Sequence, residues 1–302
     1  MAVEYIERST GKKTVESVMG DKALKFAYET LLGRTLWPVL FGSKAISALM
    51  GLKYDSPRSK KDIVKLASIP GCRAEEAEKP LGEYGSFNEF FTRRLKAGAR
   101  PLGDGVVSPA DGRLMLYLGA SLDRPFPLKG ATRTLRNLLQ PSTTSTPSFD
   151  LAVFRLAPVD YHRFHFPFDC EAFQAEAIAG KYHSVNPIAL LKYPDVYADN
   201  ERMIVKCRAT FGDAYLVDVG AFGVGTIVQT FHPGAVKKGE EKGYFKFGGS
   251  TVMMITEAGK IRFDEDIVRN SAAGYETRVL ALEKIGICQS VSNPQTPTKQ
   301  KT

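Results

Sequence analysis

The sequence lacks most of the features that mark specialised classes of protein. Its four cysteines lie far apart and form no CxxC pair, which excludes a dense disulfide scaffold and a four-cysteine zinc site. A membrane-spanning helix needs about 20 apolar residues, and no apolar run in the sequence approaches that length. The opening MAVEYIERSTGKK mixes both charges where a secretory signal would have an apolar core. We therefore expect reduced thiols, no signal peptide and no transmembrane helix.

Common cofactor motifs are absent as well. There is no GxxxxGK[ST] phosphate loop, and Gly220, Gly223 and Gly225 have a GxxGxG spacing that is more typical of bulges between strands than of dinucleotide binding. No lysine stands in a context that suggests a pyridoxal-phosphate site. If the protein is an enzyme that handles a carbanion, it must make its own electron sink.

The positive charge is concentrated near the N-terminus. Residues 1–100 carry 18 basic and 12 acidic side chains, so +6 of the net +8 lies in the first third of the chain. Such an excess favours an anionic partner, either nucleic acid or an anionic membrane surface.

The first third also has helical periodicity. Apolar residues recur at three-to-four spacing over 21–52, where Pro38 and Gly42 should divide the segment into two amphipathic helices. These helices could pack on a core of their own with a solvated basic side, or they could lie in a membrane interface. The interfacial anchors would then be Trp37, Phe41, Leu49 and Met50.

A further helix is predicted over 86–97, where Ser86 and Glu89 have the spacing of a capping box. Beyond about residue 105 the apolar period becomes 2, which is typical of strands. Seven short strands are predicted, at 113–118, 151–156, 204–209, 215–219, 226–231, 251–255 and 260–263. Helices followed by strands indicate an α+β fold with N-terminal amphipathic helices and a mostly antiparallel β core, rather than a doubly wound sheet.

This pattern divides the chain into a helical region at 1–100, a β-rich core at 101–288 and a disordered tail at 289–302. Within the core, residues 141–148 (PSTTSTPS) have the composition of a polar surface loop.

Two of the four histidines, His162 and His165, stand three residues apart in the phrase DYHRFHFP. On a regular strand they would point to opposite faces, so both can serve one site only if the segment bends. Two histidines and a distant carboxylate could bind zinc, but no HExxH helix or second ligand pair accompanies them. We expect no metal site.

Two other phrases could take part in chemistry. SPADG at 108–112 is typical of a turn, and in a functional interpretation its Asp111 orients a histidine. In KFGGSTVMMI at 246–255, a Gly-Gly pair precedes Ser250 at the head of an apolar strand, which usually marks a tight turn. With no side chain at Gly249, the Ser250 hydroxyl can also approach the preceding carbonyl carbon. An Asp-His-Ser triad is conceivable, although the GxSxG context of many hydrolases is absent.

Five phrases together resemble the phosphatidylserine decarboxylase family, over roughly residues 20–285. They are FNEFFTRRLKAGARP (87–101), SPADG (108–112), LAPVDYHRFHFP (156–167), SVNP (184–187) and GYFKFGGSTVMMI (243–255). They stand in the family's order, and their agreement is specific where any single phrase would be weak. One departure is Gly248, which occupies a position that is commonly Leu in the family.

The resemblance implies a proenzyme that cuts itself between Gly249 and Ser250. The larger chain would be 1–249, and the smaller chain 250–302 would carry a pyruvoyl group made from Ser250 as the cofactor. By the same resemblance, His165 and Asp111 complete the self-cleavage triad with Ser250. His162 would be the acid of the decarboxylation.

The implied reaction converts phosphatidylserine to phosphatidylethanolamine and CO₂ through a Schiff base with the pyruvoyl group. A phospholipid substrate favours a membrane partner over nucleic acid. We therefore expect residues 1–100 to be the membrane-associating region of a peripheral protein at the cytoplasmic face of a cell membrane. The two cleaved chains should remain partners, and a homodimer is left open. The alternatives are a pyruvoyl-dependent decarboxylase of a free amino acid, a serine hydrolase that does not cut itself, and a non-catalytic membrane-binding module.

Overall fold

The computed structural model describes residues 4–16, 30, 44–128, 130–140, 148–185, 187–221, 226–247 and 250–289. Several predicted features lie partly or wholly outside the described residues: 21–29 and 31–43 of the helical segment 21–52, 141–147 of the loop 141–148, 290–302 of the tail 289–302, and the Gly248–Gly249 pair. So do Gly223 and Gly225 of the glycine-rich phrase.

The described part of the chain forms a strand-rich α+β fold, as predicted. Its strands are β1 (Glu4–Glu7), β2 (Lys12–Val15), β3 (Val106–Val107), β4 (Gly112–Ser121), β5 (Ser148–Leu156), β6 (Arg163–His165), β7 (Cys170–Ala172), β8 (Glu176–Ile178), β9 (Arg202–Ala209), β10 (Gly212–Gly220), β11 (Ile227–Gln229), β12 (Gly234–Val236), β13 (Glu241–Phe245), β14 (Ser250–Glu257), β15 (Ile261–Phe263), β16 (Glu276–Val279) and β17 (Lys284–Cys288). Its helices are α1 (Lys44–Asp55), α2 (Lys61–Ala67), α3 (Phe87–Phe91), α4 (Leu135–Leu139), α5 (Pro187–Lys192), α6 (Val196–Asp199) and α7 (Glu265–Ala272). Each of the seven predicted strands overlaps one of these strands.

An eleven-stranded sheet organises the molecule, in the order β12-β7-β9-β10-β14-β5-β4-β16-β1-β2, with β8 also paired to β9. Among the described strands, β1 and β16 are the only parallel pair, so the prediction of a mostly antiparallel core is confirmed. Two three-stranded sheets, β11-β13-β6 and β15-β17-β3, accompany the large one.

The central strand β14 is buried on both of its faces. Val252 and Met254 pack into one apolar cluster, whereas Met253 and Ile255 pack into another on the opposite side of the sheet. This explains why TVMMI is an apolar run without alternation. Phe164 of β6 belongs to the first cluster, so the small β11-β13-β6 sheet packs on that face.

The helix predicted over 86–97 is shorter than expected. Ser86 caps it by accepting a hydrogen bond from the Glu89 N–H at 3.2 Å, as predicted, but α3 ends at Phe91. The following residues are extended because their backbone pairs with an earlier segment: Glu78 N–H donates to the Arg94 carbonyl, and Lys96 N–H to that of Glu76, both at 2.9 Å.

Within the region predicted to be helical, residues 4–15 instead form the two strands β1 and β2. Their pairing with β16 adds them to one edge of the large sheet, which supplies the backbone hydrogen bonds that their polar sequences would otherwise make with water. The four cysteines are free thiols, as expected, and only Cys288 is exposed.

Candidate active site

Ser250 is the first residue of β14, between β5 and β10 in the sheet. It lies opposite Leu156 on one side and Gly220 on the other. Its side chain is fully buried, and its hydroxyl has no hydrogen-bond partner among the described residues. Buried polar groups in native proteins are nearly always paired, and Thr256 on the same strand is another exception, so Ser250 is distinguished by its place directly after the Gly248–Gly249 pair of the sequence.

His162 lies just before β6 and is fully buried. Its ring packs on Phe91, with 3.8 Å between the ring centroids, and Nδ1 lies 2.9 Å from the Asp160 carbonyl oxygen. A carbonyl can only accept, so Nδ1 carries the hydrogen and Nε2 is left as a buried acceptor with no described partner. Burial and, to a lesser extent, the charge of Arg93 lower the pKa of His162 to about 3. The ring is therefore neutral near pH 7.

His165 ends β6 in a different environment. Its Nδ1 lies 3.1 Å from the Gly239 carbonyl oxygen, and its Nε2 lies 3.4 Å from the Tyr161 hydroxyl. It lines an open cleft of about 240 Å³ together with Arg100 and Glu241. Burial lowers the pKa of His165, although the Gly239 carbonyl and the charges of Glu241 and Asp111 oppose that effect.

Asp111 is buried at the start of β4 and binds Arg100 rather than a histidine. Both guanidinium contacts are short, 2.9 Å from Nε to Oδ1 and 2.7 Å from Nη2 to Oδ2, and the Ala281 N–H donates to Oδ1 at 2.7 Å. Burial acts to raise the pKa of Asp111, but the Arg100 guanidinium outweighs it and holds the pKa below its usual range. The carboxylate is thus ionised.

The three residues of the predicted triad are not joined by hydrogen bonds within the described part of the chain. Asp111 and His165 are linked indirectly, since Arg100 binds Asp111 and lines the cleft of His165. His162 lies near the segment before Ser250: its carbonyl accepts the Phe245 N–H at 3.0 Å.

Phe91 strengthens the link between His162 and the cleavage segment. The Phe91 ring that packs against His162 also meets the Phe247 ring edge-on, with centroids 5.2 Å apart. The Phe247 N–H donates to the Asn88 side chain at 3.0 Å. Helix α3, which belongs to the first of the five phrases, therefore positions both His162 and the residues that lead to Ser250.

Sequence reasoning missed a buried ion network beside the site. Arg155 donates hydrogen bonds to Glu16 at 2.8 Å and to Glu276 at 2.9 Å. The neighbouring Arg113 binds the side chain of Asp160, and the backbone carbonyl of Asp160 accepts the hydrogen bond from His162. A signal was present, because both arginines occur within predicted strands whose other residues are mostly apolar. Charged residues at such positions are rarely buried unless they are paired.

The described residues contain no cluster of three or more His, Cys, Asp or Glu side chains that could hold a metal ion. The orphaned polar atoms of Ser250 and His162 fit a site whose reacting group is made from the chain itself.

Comparison with known proteins agrees with the five phrases. The sequence profile of the phosphatidylserine decarboxylase family matches residues 87–286. The chain is 38% identical to the phosphatidylserine decarboxylase proenzyme of Ruminiclostridium cellulolyticum over 293 residues, which cover 95% of this chain and 98% of the relative. It is 39% identical to that of Fusobacterium nucleatum subsp. nucleatum, over 94% of this chain and 97% of the relative.

A third relative, the phosphatidylserine decarboxylase proenzyme of Clostridium novyi, is 41% identical over 90% of this chain and 95% of its own length. Since the family profile covers most of the chain and these relatives match nearly all of it, the chain belongs to the phosphatidylserine decarboxylase family.

Proposed function

We propose that this protein is a proenzyme that cuts itself between Gly249 and Ser250 and then decarboxylates phosphatidylserine. The observation that carries the proposal is the Ser250 hydroxyl, which is fully buried and unpaired at the head of a central strand. A hydroxyl with no structural partner is free to act as a nucleophile.

In the self-cleavage, Oγ of Ser250 bonds to the carbonyl carbon of Gly249 while the peptide C–N bond breaks. His165 takes the hydroxyl proton and returns it to the leaving nitrogen, and Asp111 orients the imidazole. In the elimination that follows, the Cα proton of residue 250 is removed and the ester Cβ–O bond breaks, so that Gly249 leaves as a carboxylate. Water then hydrolyses the imine tautomer of the resulting enamine, which releases ammonia and leaves a keto group.

The proposal requires side chains to move in the precursor. His165 must exchange the Gly239 carbonyl and the Tyr161 hydroxyl for Asp111 and Ser250. The contact with Tyr161 is weak, because 3.4 Å is long for a hydrogen bond, whereas the 3.1 Å contact with the Gly239 carbonyl has an ordinary length and must be broken. Arg100 has to share the Asp111 carboxylate with the imidazole in that state.

The pyruvoyl group formed in this way supplies the electron sink that stabilises a carbanion after CO₂ departs. His162 is suited to move the proton that this chemistry requires. Its neutral ring offers an unpaired Nε2, which can accept a proton from the ammonium of the substrate and later return it to carbon. The hydrogen bond from Nδ1 to Asp160 fixes the tautomer that leaves Nε2 open.

The substrate is proposed to reach the site from a bilayer. Leu49 and Leu52 of α1 are 64% and 68% exposed, Val64 of α2 is 65% exposed, and the exposed Lys53 and Lys61 lie on the same helices. Apolar burial combined with basic charge, worth about 1 kcal/mol per basic residue near an anionic surface, is typical of interfacial helices. None of the described helices is long and apolar enough to span a bilayer.

The test of this proposal is the fate of the purified chain on a denaturing gel. The wild type should yield two bands, and the smaller fragment should have the mass of 250–302 with a pyruvoyl group in place of the N-terminal serine. Ser250→Ala should remain one uncut chain without decarboxylase activity. Thr256→Val is the matched control, because Thr256 lies on the same strand and its hydroxyl is also buried without a described partner. Normal cleavage of Ser250→Ala would refute the proposal.

A further inference from the structure

A buried ion pair that the mechanism does not use lies beneath the small β11-β13-β6 sheet. Lys242 of β13 is 1% exposed and Asp218 of β10 is fully buried, and the ammonium binds Oδ2 of the carboxylate. Gln229 of β11 donates to the same Oδ2 at 2.7 Å. The second oxygen, Oδ1, is buried and has no partner among the described residues.

Sheet register places this carboxylate close to Ser250. Gly220 is directly opposite Ser250 on the adjacent strand, and Asp218 is opposite Val252. Side chains two residues apart on a strand share a face, so Asp218 and Ser250 are diagonal neighbours on the same face of the sheet. Gly220, directly opposite Ser250, places no side chain between them.

Diagonal neighbours across an antiparallel pair are about 7–8 Å apart, and their Cβ atoms are somewhat closer. An aspartate and a serine that point towards each other can close that gap to hydrogen-bonding distance. Oδ1 of Asp218 and Oγ of Ser250 are both buried, and neither has a partner among the described residues, the other included. A rotation of the two side chains towards each other would satisfy both atoms.

Stability is a weak reason for this ion pair. The desolvation of two buried charges often exceeds their attraction, and well-packed apolar residues can replace such a pair without loss of stability. The surroundings are apolar, because Lys242 also lies over the Phe164 ring, 5.0 Å from its centroid. A role at the neighbouring nucleophile accounts for the charges.

We propose that Asp218 is a positioning residue for self-cleavage, which accepts a hydrogen bond from the Ser250 hydroxyl in the precursor. The inference rests on the proposed function. Lys242 and Gln229 both bind Oδ2, so Oδ1 is the oxygen that remains to bind the serine. The bond fixes the rotamer of Ser250 so that Oγ faces the preceding carbonyl carbon. Asp218 takes no proton, since the hydroxyl rotates to give it to His165 as the attack begins.

The test measures the rate of self-cleavage of folded, full-length precursor on denaturing gels. The first variant is the double change Asp218→Leu with Lys242→Met, which removes both charges together and should preserve the fold. The second is Asp218→Asn, which keeps the volume and keeps the test decisive if the first does not fold. Both should slow cleavage about 10- to 100-fold, the effect expected from losing one hydrogen bond to a charged group.

Asp150→Asn is the matched control. Asp150 is a buried aspartate of β5, opposite Thr256 at the far end of β14, and it accepts backbone hydrogen bonds from Gly119 and Gly259. This variant should lower the melting temperature yet cleave at the wild-type rate. If a folded Asp218 variant also cleaves at the wild-type rate, the positioning role is wrong while the proposed function stands. If the wild type does not cleave, the proposed function itself fails.

Discussion

Burial of His162 should make the protein sensitive to acid in a way that one substitution can isolate. Its pKa is about 3 in the fold, against about 6.5 in an unfolded chain. Between these values the unfolded state binds more protons than the folded state, so stability is fully present above pH 6.5 and falls as the pH drops towards 3. Within that window each pH unit lowers the free energy of unfolding by about 1.4 kcal/mol, so the loss between pH 6.5 and pH 5 is roughly 2 kcal/mol.

The measurement is urea denaturation at pH 7.5 and pH 5, in the uncut Ser250→Ala background. His162→Gln keeps a donor for the Asp160 carbonyl but removes the titrating ring. Its free energy of unfolding should therefore fall by roughly 2 kcal/mol less between pH 7.5 and pH 5 than that of its parent. His232→Gln, which removes an exposed imidazole, is the control. Other buried groups are common to all three chains and cancel in the comparison. An equal acid-induced loss in His162→Gln and its parent would show that burial does not hold this ring neutral.

Three further results are expected. His165→Ala should slow self-cleavage, as followed on gels, about 10²–10⁴-fold because the general base is lost. His162→Ala should still cut itself but should decarboxylate phosphatidylserine poorly. Wild-type turnover by His162→Ala would contradict the role of His162 in proton transfer. Ser86→Ala should lower the free energy of unfolding by about 1 kcal/mol in urea denaturation, because α3 loses its side-chain cap, and an unchanged midpoint would show that the cap is dispensable. Leu52→Gln should weaken flotation with phosphatidylserine vesicles severalfold through lost apolar burial, whereas Leu118→Gln on β4, where the leucine is 51% exposed, should not. Equal behaviour of the two variants would argue against α1 as the membrane contact.

Local sequence was enough to predict the central strands, but not the two N-terminal strands β1 and β2, which pair with β16 from the other end of the chain. Residues 151–156 and 251–255 are apolar runs too short for a helix and bounded by turn residues, so their conformation follows from composition and length. The cap at Ser86 was predictable for the same reason, since it depends on residues three apart. The conformation of the residues after Phe91 was not predictable from local sequence. Their backbone partners are at 76–78, and pairing with those residues competes with the helix.

The same distinction between local sequence and tertiary structure applies to the candidate site. Motifs identified which serine, histidines and aspartate to consider, because the type and spacing of reactive residues are local properties. Only the fold shows that His162 is enclosed and neutral while His165 faces a cleft, and that Asp111 is held by Arg100. The Asp218 carboxylate carried no signal in the sequence at all. Desolvation, tautomer and ion pairing depend on neighbours that are distant along the chain, so the tertiary structure alone decides them.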